Sequence, residues 1–565
     1  MRRPLRSNLA PGTPVWAGRR AQWRALGLTD ADMEKPKIAV VNSSSELSSC
    51  FSHLDGVAAE VKKAIRAAGG LPFEIRTAAP SDFVTCAGRG GAYILPSRDL
   101  IAADIEVQVE GALLDGMLCL ASCDKTAPGQ MMAAGRLDVP TLIVPCGYQQ
   151  SGQYRGKHVD IEEVFLKSAY VSSGSVNLRE VTEMADVAVR SPGVCAGMGT
   201  ANSMHIVAEA LGMTLPGAAP VAALSASMMD NVRRSGERIV EMVWQDFRPR
   251  QVLTREAIEN AVMVVLSLSA SINCAKHLQA IATESLVEVD VYALFERYAP
   301  RIPLLAAIRP NGEGLIEELE AAGGARAVMK QLEPLLHKNV VNVGGQTLGE
   351  ILQATIVRNP EVIRPLDRPL STRPTLNIVR GSLLPGGGIV RIGGVGERRL
   401  SFRGPARIFH SREEALQAIR KKQIQKGEVV ILRGLGVIGG PGMAMTSAVV
   451  FALDGAGIVD EVAVITEGQL SGLVNMGLVV GEASPEAAAG GPLALVENGD
   501  LVSIDVAARE VNLEVAPEVL EARRAHVGKF GAQNERGWLS VYQRTVRPVH
   551  EGAVLMKDEP EFGGG

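Results

Sequence analysis

Two rhythms of hydrophobic spacing alternate along the first 150 residues. Short apolar runs, "KIAVVNS" from Lys37, "LPFEIRTA" from Leu71, "MLCLAS" from Met117 and "TLIVP" from Thr141, read as buried strands. Between them, "HLDGVAAEVKKAIRAAGG" sets Leu54, Val57, Val61 and Ile65 on one helical face and closes at Gly69-Gly70. "DLIAADIEVQVEGALLDG" likewise spaces Ile101, Ile105 and Val109 four apart, and "QMMAAGRLD" is helical. Strand and helix in alternation predict a parallel sheet.

From about residue 200 to 355 the periodicity is mostly helical, in "NSMHIVAEALG", "SMMDNVRRSGERIVEMVWQDF" and "TREAIENAVMVVLSL". The Pro- and Arg-rich stretch "RNPEVIRPLDRPLSTRPTLN" breaks that pattern and reads as a linker. Beyond it, glycine-rich strand patterns dominate: "EVVILRG", "EVAVITEGQLSG" and "LALVENGDLVSIDVAAREVNLEV", where Asn498-Gly499-Asp500 predicts a hairpin turn. The expected class is therefore α/β. An N-terminal parallel-sheet domain with helices (1–365) is followed by a smaller β-rich, barrel-like domain (374–565) with a loosely held tail.

A chain of 565 residues exceeds one ordinary core, so length supports two units. The formal charge of -4, with no Lys/Arg block, argues against nucleic acid or an anionic membrane as partner. No run of 18 apolar residues and no signal-peptide pattern occur, so a cytoplasmic protein acting on a small molecule is expected. The seven cysteines form no CxxC pair, which argues against a disulfide framework.

The chemistry concentrates in "LASCDKTAPGQMMAAG", where Cys123, Asp124 and Lys125 are consecutive. Cys123 falls where a strand ends, on the edge of a parallel sheet that binds ligands. Cys50, in the turn-rich "NSSSELSSC", and Cys195, in the glycine-rich "SPGVCAGMGTANSM", share that setting. Their separations from Cys123, 73 and 72 residues, carry no metal signature of their own.

"SCDKTAPGQMMAAGRLDVPT", "SDFVTCAGRGGAYILPSRDLIA", "CAGMGTANSM", "VITEGQLSG" and "ASPEAAAGGPLALVENGD" together resemble the dihydroxy-acid and sugar-acid dehydratase family, in the right order from about residue 15 to 520. "NSSSELSSCFSH" is closer to the sugar-acid members and "YILPSRDLIA" to the dihydroxy-acid branch. The resemblance implies a 2Fe-2S cluster on Cys50, Cys123 and Cys195, with an open iron position acting as a Lewis acid. It also implies Mg2+ on Asp82 and Asp124, with Lys125 as a carbamate ligand, and Ser471 as the general base. The implied reaction removes water from a 2,3-dihydroxy acid, or alternatively an aldonic acid, to give a 2-keto acid, in a homodimer or homotetramer.

Several positions depart from the family pattern. Met445 stands where members commonly carry a magnesium-binding glutamate, and a thioether is a poor magnesium ligand. Glu467 and Gln469 replace the usual residues before the base serine, and Glu482 replaces a histidine. Either Glu467 or Glu482 supplies the missing carboxylate, or the substrate differs, or magnesium binding and the usual activity are weakened. A non-catalytic homologue that keeps the cluster is the rival reading, favoured by Met445. An electron-transfer protein would leave Asp82, Asp124, Lys125 and Ser471 without a task. His53 is either near the cluster or a cap, and His277 lies in a segment similar to a substrate-side motif. Met131-Met132 and Met228-Met229 are expected in the core, with Cys86, Cys119, Cys146 and Cys274 as packed thiols.

Overall fold

The computed structural model describes residues 3–171, 173–392, 399–443, 446–531, 534 and 536–555. Met445 and residues 556–565 of the tail lie outside them. The first sheet contains β1 (Lys37–Asn42), β2 (Leu71–Arg76), β3 (Gly116–Ala121) and β4 (Thr141–Pro145) in the order β2-β1-β3-β4, all parallel. Every residue of β1, β3 and β4 is buried, as unbroken apolar runs require of strands covered on both faces. Helix Leu54–Ala67 buries Leu54, Val57, Val61 and Ile65 and packs on helix Ala226–Gln245. Gly236 permits that approach, since a Cβ there would stand 2.6 Å from the Ala64 Cβ. A second pair, Pro96–Gly111 and Thr126–Leu137, packs with Gly129 against the Arg98 carbonyl.

Chain order reverses between β1 and β3, because β2 lies on one side of that pair and β4 on the other. Such a reversal opens a crevice outside the carboxyl ends of the two central strands. The loops that leave β1 and β3 carry Cys50 and Cys123.

Helices Thr200–Ala210, Arg255–Ser267 and Asn273–Glu284 are buried on almost all residues, so they form an interior layer and not a one-faced shell. A short hairpin, β5 (Gly152–Tyr154) and β6 (Lys157–Val159), sits apart. The second sheet holds β7 (Leu376–Val379), β8 (Gly387–Arg391), β9 (Ser401–Phe409), β10 (Val429–Leu432), β11 (Ala463–Thr466), β12 (Leu478–Ser484), β13 (Leu501–Asp505) and β14 (Glu510–Leu513). Its order is β14-β13-β9-β10-β11-β12-β8-β7, nearly a barrel, as the sequence predicts. The β9 to β12 centre is parallel; helices Arg412–Arg420 and Ser447–Gly455 make the first two crossovers, and the loop that carries Ser471 makes the third.

Three local expectations change. Asn498-Gly499-Asp500 is not the hairpin turn: it leads from the helical turn Pro492–Leu495 into β13, and the β13–β14 hairpin closes through residues 506–509. No strand precedes Asn498, whose side-chain oxygen instead accepts from the Ile408 N–H at 2.8 Å. The Pro-rich stretch has neither helix nor strand before Leu376, yet Leu304 pairs with Ser371 and fastens it to the helical layer. The start of the tail is also held, since the Ala553 carbonyl accepts from Arg98 at 2.8 Å and Val546 bridges Leu555. Among the described residues no helix is long and apolar enough to cross a membrane.

Candidate active site

Local hydrogen bonds join the three cysteine-bearing loops. The Ser122 hydroxyl, directly after β3, donates to the Cys50 carbonyl at 2.6 Å, and the Gly193 N–H donates to the Ser49 carbonyl at 3.2 Å. Asn202, in the first turn of helix Thr200–Ala210, donates to the carbonyls of Cys195 and Gly197, both at 2.8 Å. All three thiols are buried and none is in a disulfide. Cys50 is pulled down to about 7, chiefly by its hydrogen bond with Cys123, while Cys123 is held well above the ordinary value by that bond and by burial. Burial, followed by the nearby Cys50, raises Cys195. A thiolate therefore forms readily on one member of the Cys50–Cys123 pair, and further charge there needs a cationic partner. Soft sulfur donors suit iron and sulfide.

Asp82 opens the short helix after β2, and Asp124 and Lys125 follow Cys123. The Lys125 side chain is wholly buried, with Nζ 3.3 Å from an Asp82 oxygen and 3.8 Å from an Asp124 oxygen. Burial pulls this ammonium down, but Asp82 and Asp124 outweigh it and leave the group above the ordinary lysine value. Asp124 is pushed up to about 8, first by burial and then by the like charge of Asp82. A cationic group thus already stands between two carboxylates that repel each other without it. Among the described residues, no three His, Cys, Asp or Glu side chains are gathered tightly enough to hold a single ion.

Ser471 approaches from the second sheet, in the loop between β11 and β12. Its N–H donates to the Ser447 hydroxyl at 2.6 Å, and Asn273 donates to the preceding Leu470 carbonyl at 3.2 Å. Arg391 donates to the Gly472 and Ser269 carbonyls. Gly472 packs onto the cysteine loop, since a Cβ there would lie 3.2 Å from the Gly199 Cα. A cavity of about 40 Å³ results, lined by Asp82, Cys123, Asp124, Cys195 and Ser471. A larger cavity of about 660 Å³, beside Arg412 and Arg433, contains none of these groups.

Comparison with known proteins decides what this assembly belongs to. Residues 35–351 match the model of the dihydroxy-acid/6-phosphogluconate dehydratase N-terminal domain, and residues 361–553 match its C-terminal counterpart. The chain belongs to the dihydroxy-acid/6-phosphogluconate dehydratase family. It is similar to proteins named dihydroxy-acid dehydratase in Methanococcoides burtonii, 39% identical over 97% of this chain and 100% of the relative. Those of Carboxydothermus hydrogenoformans and Pyrococcus abyssi are also 39% identical, covering 96% and 95% of this chain and 98% of each relative. Membership makes the protein a hydro-lyase.

Within this dehydratase, the positions that depart from the family pattern resolve differently. Glu467 does not line the cavity: its carboxylate accepts from the N–H groups of Gly434, Leu435 and Ala487 at 2.6, 3.2 and 2.6 Å, and burial raises it to about 8. Glu482 is fully buried against Lys276. Both carboxylates are committed to structural partners, so neither expected replacement reaches Asp82 and Asp124. His53 meets the Cys146 carbonyl at 2.8 Å and makes no side-chain cap, while His277 accepts from Arg98 at 3.3 Å in the core. Met131, Met132 and Met228 are core residues but Met229, one position round the helix, is only partly buried; Cys119, Cys146 and Cys274 are packed thiols, and Cys86 is only partly buried.

Sequence reasoning passed over Glu162. It is the only residue of helix Ile161–Val171 buried among those described, and it lines the dehydratase cavity. In "DIEEVFLKSAY" it reads as one of several acids at a helix N-terminus, where a carboxylate is ordinary. Its burial depends on Gly197 and Gly199, 35 and more residues away, and no local pattern reports that.

Proposed function

We propose that the protein dehydrates a 2,3-dihydroxy carboxylic acid to the 2-keto-3-deoxy acid. The observation that supports this most is the meeting, in one cavity, of buried thiols, the Asp82–Lys125–Asp124 group and Ser471 from the opposite half of the chain. Cys50, Cys123 and Cys195 would hold a 2Fe-2S cluster. Asp82 and Asp124 would hold Mg2+, with Lys125 as its carbamate so that no ammonium competes with the metal. These groups would supply Lewis acidity toward the substrate's oxygens.

The chain's own residues then have separate tasks. Ser471 takes the proton from C2; a serine hydroxyl alone is too weak a base for this, and a bound magnesium ion would supply the positive charge that stabilises its alkoxide. The C2–H electron pair forms the C2–C3 double bond as the C3–O bond breaks, and the departing hydroxyl leaves as water with the proton that Ser471 took from C2. The enol then takes a proton at C3 and becomes the 2-keto acid, with no change of oxidation state in the protein. The apolar walls, Phe83 and Leu473 among them, limit the access of bulk water to the carbanion-like centre.

Anaerobic turnover of 2,3-dihydroxyisovalerate beside several aldonic acids, with and without magnesium, tests the proposal on protein of known iron and sulfide content. Magnesium-dependent 2-keto acid supports it. Full iron and sulfide with no product from any acid would refute it and favour the non-catalytic homologue that Met445 suggests.

A further inference from the structure

Glu162 stands out among the buried charged groups. It is 7% exposed, yet it has no hydrogen-bonding partner among the described residues, unlike Glu467, Glu482 and Glu209, whose carboxylates all have partners. Its carboxyl group lies against the glycine loop after Cys195. A Cβ on Gly197 would fall 1.9 Å from one of its oxygens and a Cβ on Gly199 2.9 Å from the other. Two glycines therefore make the space that a lone buried carboxyl group fills. A carboxyl group so placed opens only onto the cavity, so its hydrogen bonds go to whatever occupies that cavity.

Its position indicates what that is. The cavity around Ser471 and Asp124, at about 40 Å³, has room for about three waters. It can hold the reacting carbons of a hydroxy acid and little more. An adjoining cleft of about 180 Å³ also has Glu162 in its wall, together with Asp160, Arg309 and Asn475. A substrate longer than its reacting carbons has the polar cleft beside Glu162 to extend into.

We infer that Glu162 is a specificity-determining residue that hydrogen-bonds a hydroxyl carried beyond C3, so that this enzyme prefers acids with hydroxylated tails to acids with branched alkyl tails. Burial holds the carboxyl group well above the ordinary value, so it can both donate to and accept from a hydroxyl. An alkyl tail would leave it buried without a partner, and sites built to bond a hydroxyl reject analogues lacking it. The inference rests on the dehydratase reading for its chemistry but not for its binding preference.

The test compares a five-carbon aldonic acid with 2,3-dihydroxyisovalerate on the iron-loaded full-length protein and on Glu162→Gln and Glu162→Leu. Both kcat/KM and calorimetric dissociation constants are measured. We expect wild type to favour the aldonic acid by at least about tenfold. Glu162→Gln, which still donates and accepts, should keep most of that preference, and Glu162→Leu should abolish or reverse it by raising KM for the aldonic acid. A wild-type preference for the branched acid, or an unchanged ratio in soluble Glu162→Leu, would overturn the inference. If neither acid is turned over, the dehydratase proposal fails while the binding constants still decide this one. Should both variants fail to fold, the wild-type ratio decides it alone.

Discussion

The Lys276–Glu482 pair gives the sharpest stability test. Both side chains are completely buried, and Lys276 donates to Glu482 and to the Asn273 side-chain oxygen. Glu482→Gln leaves the ammonium without its counter-charge in a medium that solvates it poorly, a loss of about 3–5 kcal/mol for breaking a buried pair from one side. Scaled by chain size, this lowers the melting temperature by about 3–10 °C, the larger figure applying if only part of the chain melts as a unit. Replacing both groups by apolar residues, Lys276→Met with Glu482→Leu, should restore most of the loss, because no unpaired charge remains. Asn273 also holds the Leu470 carbonyl beside Ser471, so Glu482→Gln should lower kcat more than it raises KM. Thermal melts followed by circular dichroism at equal iron content provide the assay. A single variant melting within 1 °C of wild type, on the order of the noise of such scans, would refute the reasoning. So would a double variant as unstable as the sum of the two single ones.

Three further outcomes follow from the site and its surroundings. Ser471→Ala should lower kcat by about 10²- to 10⁴-fold while leaving the iron and sulfide content of the purified protein unchanged; a variant with near-normal turnover would remove Ser471 from the proton transfer. Serine at Cys50, Cys123 or Cys195 should each strip iron and sulfide and bleach the visible absorption, whereas Cys274→Ser, at a buried thiol outside the site, should keep both. Glu467, raised to about 8 by burial and then by Glu486, is protonated in the folded chain while ionised in the unfolded one between about pH 4.3 and 8. Stability from this group is therefore fully present at the acid end and lost as pH rises through that window. The melting temperature of wild type minus that of Glu467→Gln should fall between pH 5 and 9, on the order of a few degrees, and a flat difference would show that the group titrates normally.

How far the sequence could be read depended on whether neighbours in space were also neighbours in the chain. Cys123, Asp124 and Lys125 were legible because one loop carries them, and β1 to β4 because each strand is an apolar run of its own. The β-rich character of the second half was visible, but its parallel centre was not. Gly-rich loops mask the crossovers, and the Asn498 turn looks the same whether a strand or a helical turn precedes it. Glu162, Arg391 and Lys276 were out of reach for a different reason. Each acquires its role from partners far along the chain, such as Gly197, Gly472 and Glu482, and a charged residue's own surroundings in sequence do not reveal that it is buried. Glu467 and Glu482 show the reverse error: near the right motif in sequence, they face elsewhere in the fold.

The packing of Gly472 on Gly199 sets an order of events in making this protein. The thiols lie beneath a turn contributed by residues translated more than 250 positions after Cys195, so the cavity over them is complete only once the C-terminal sheet has docked.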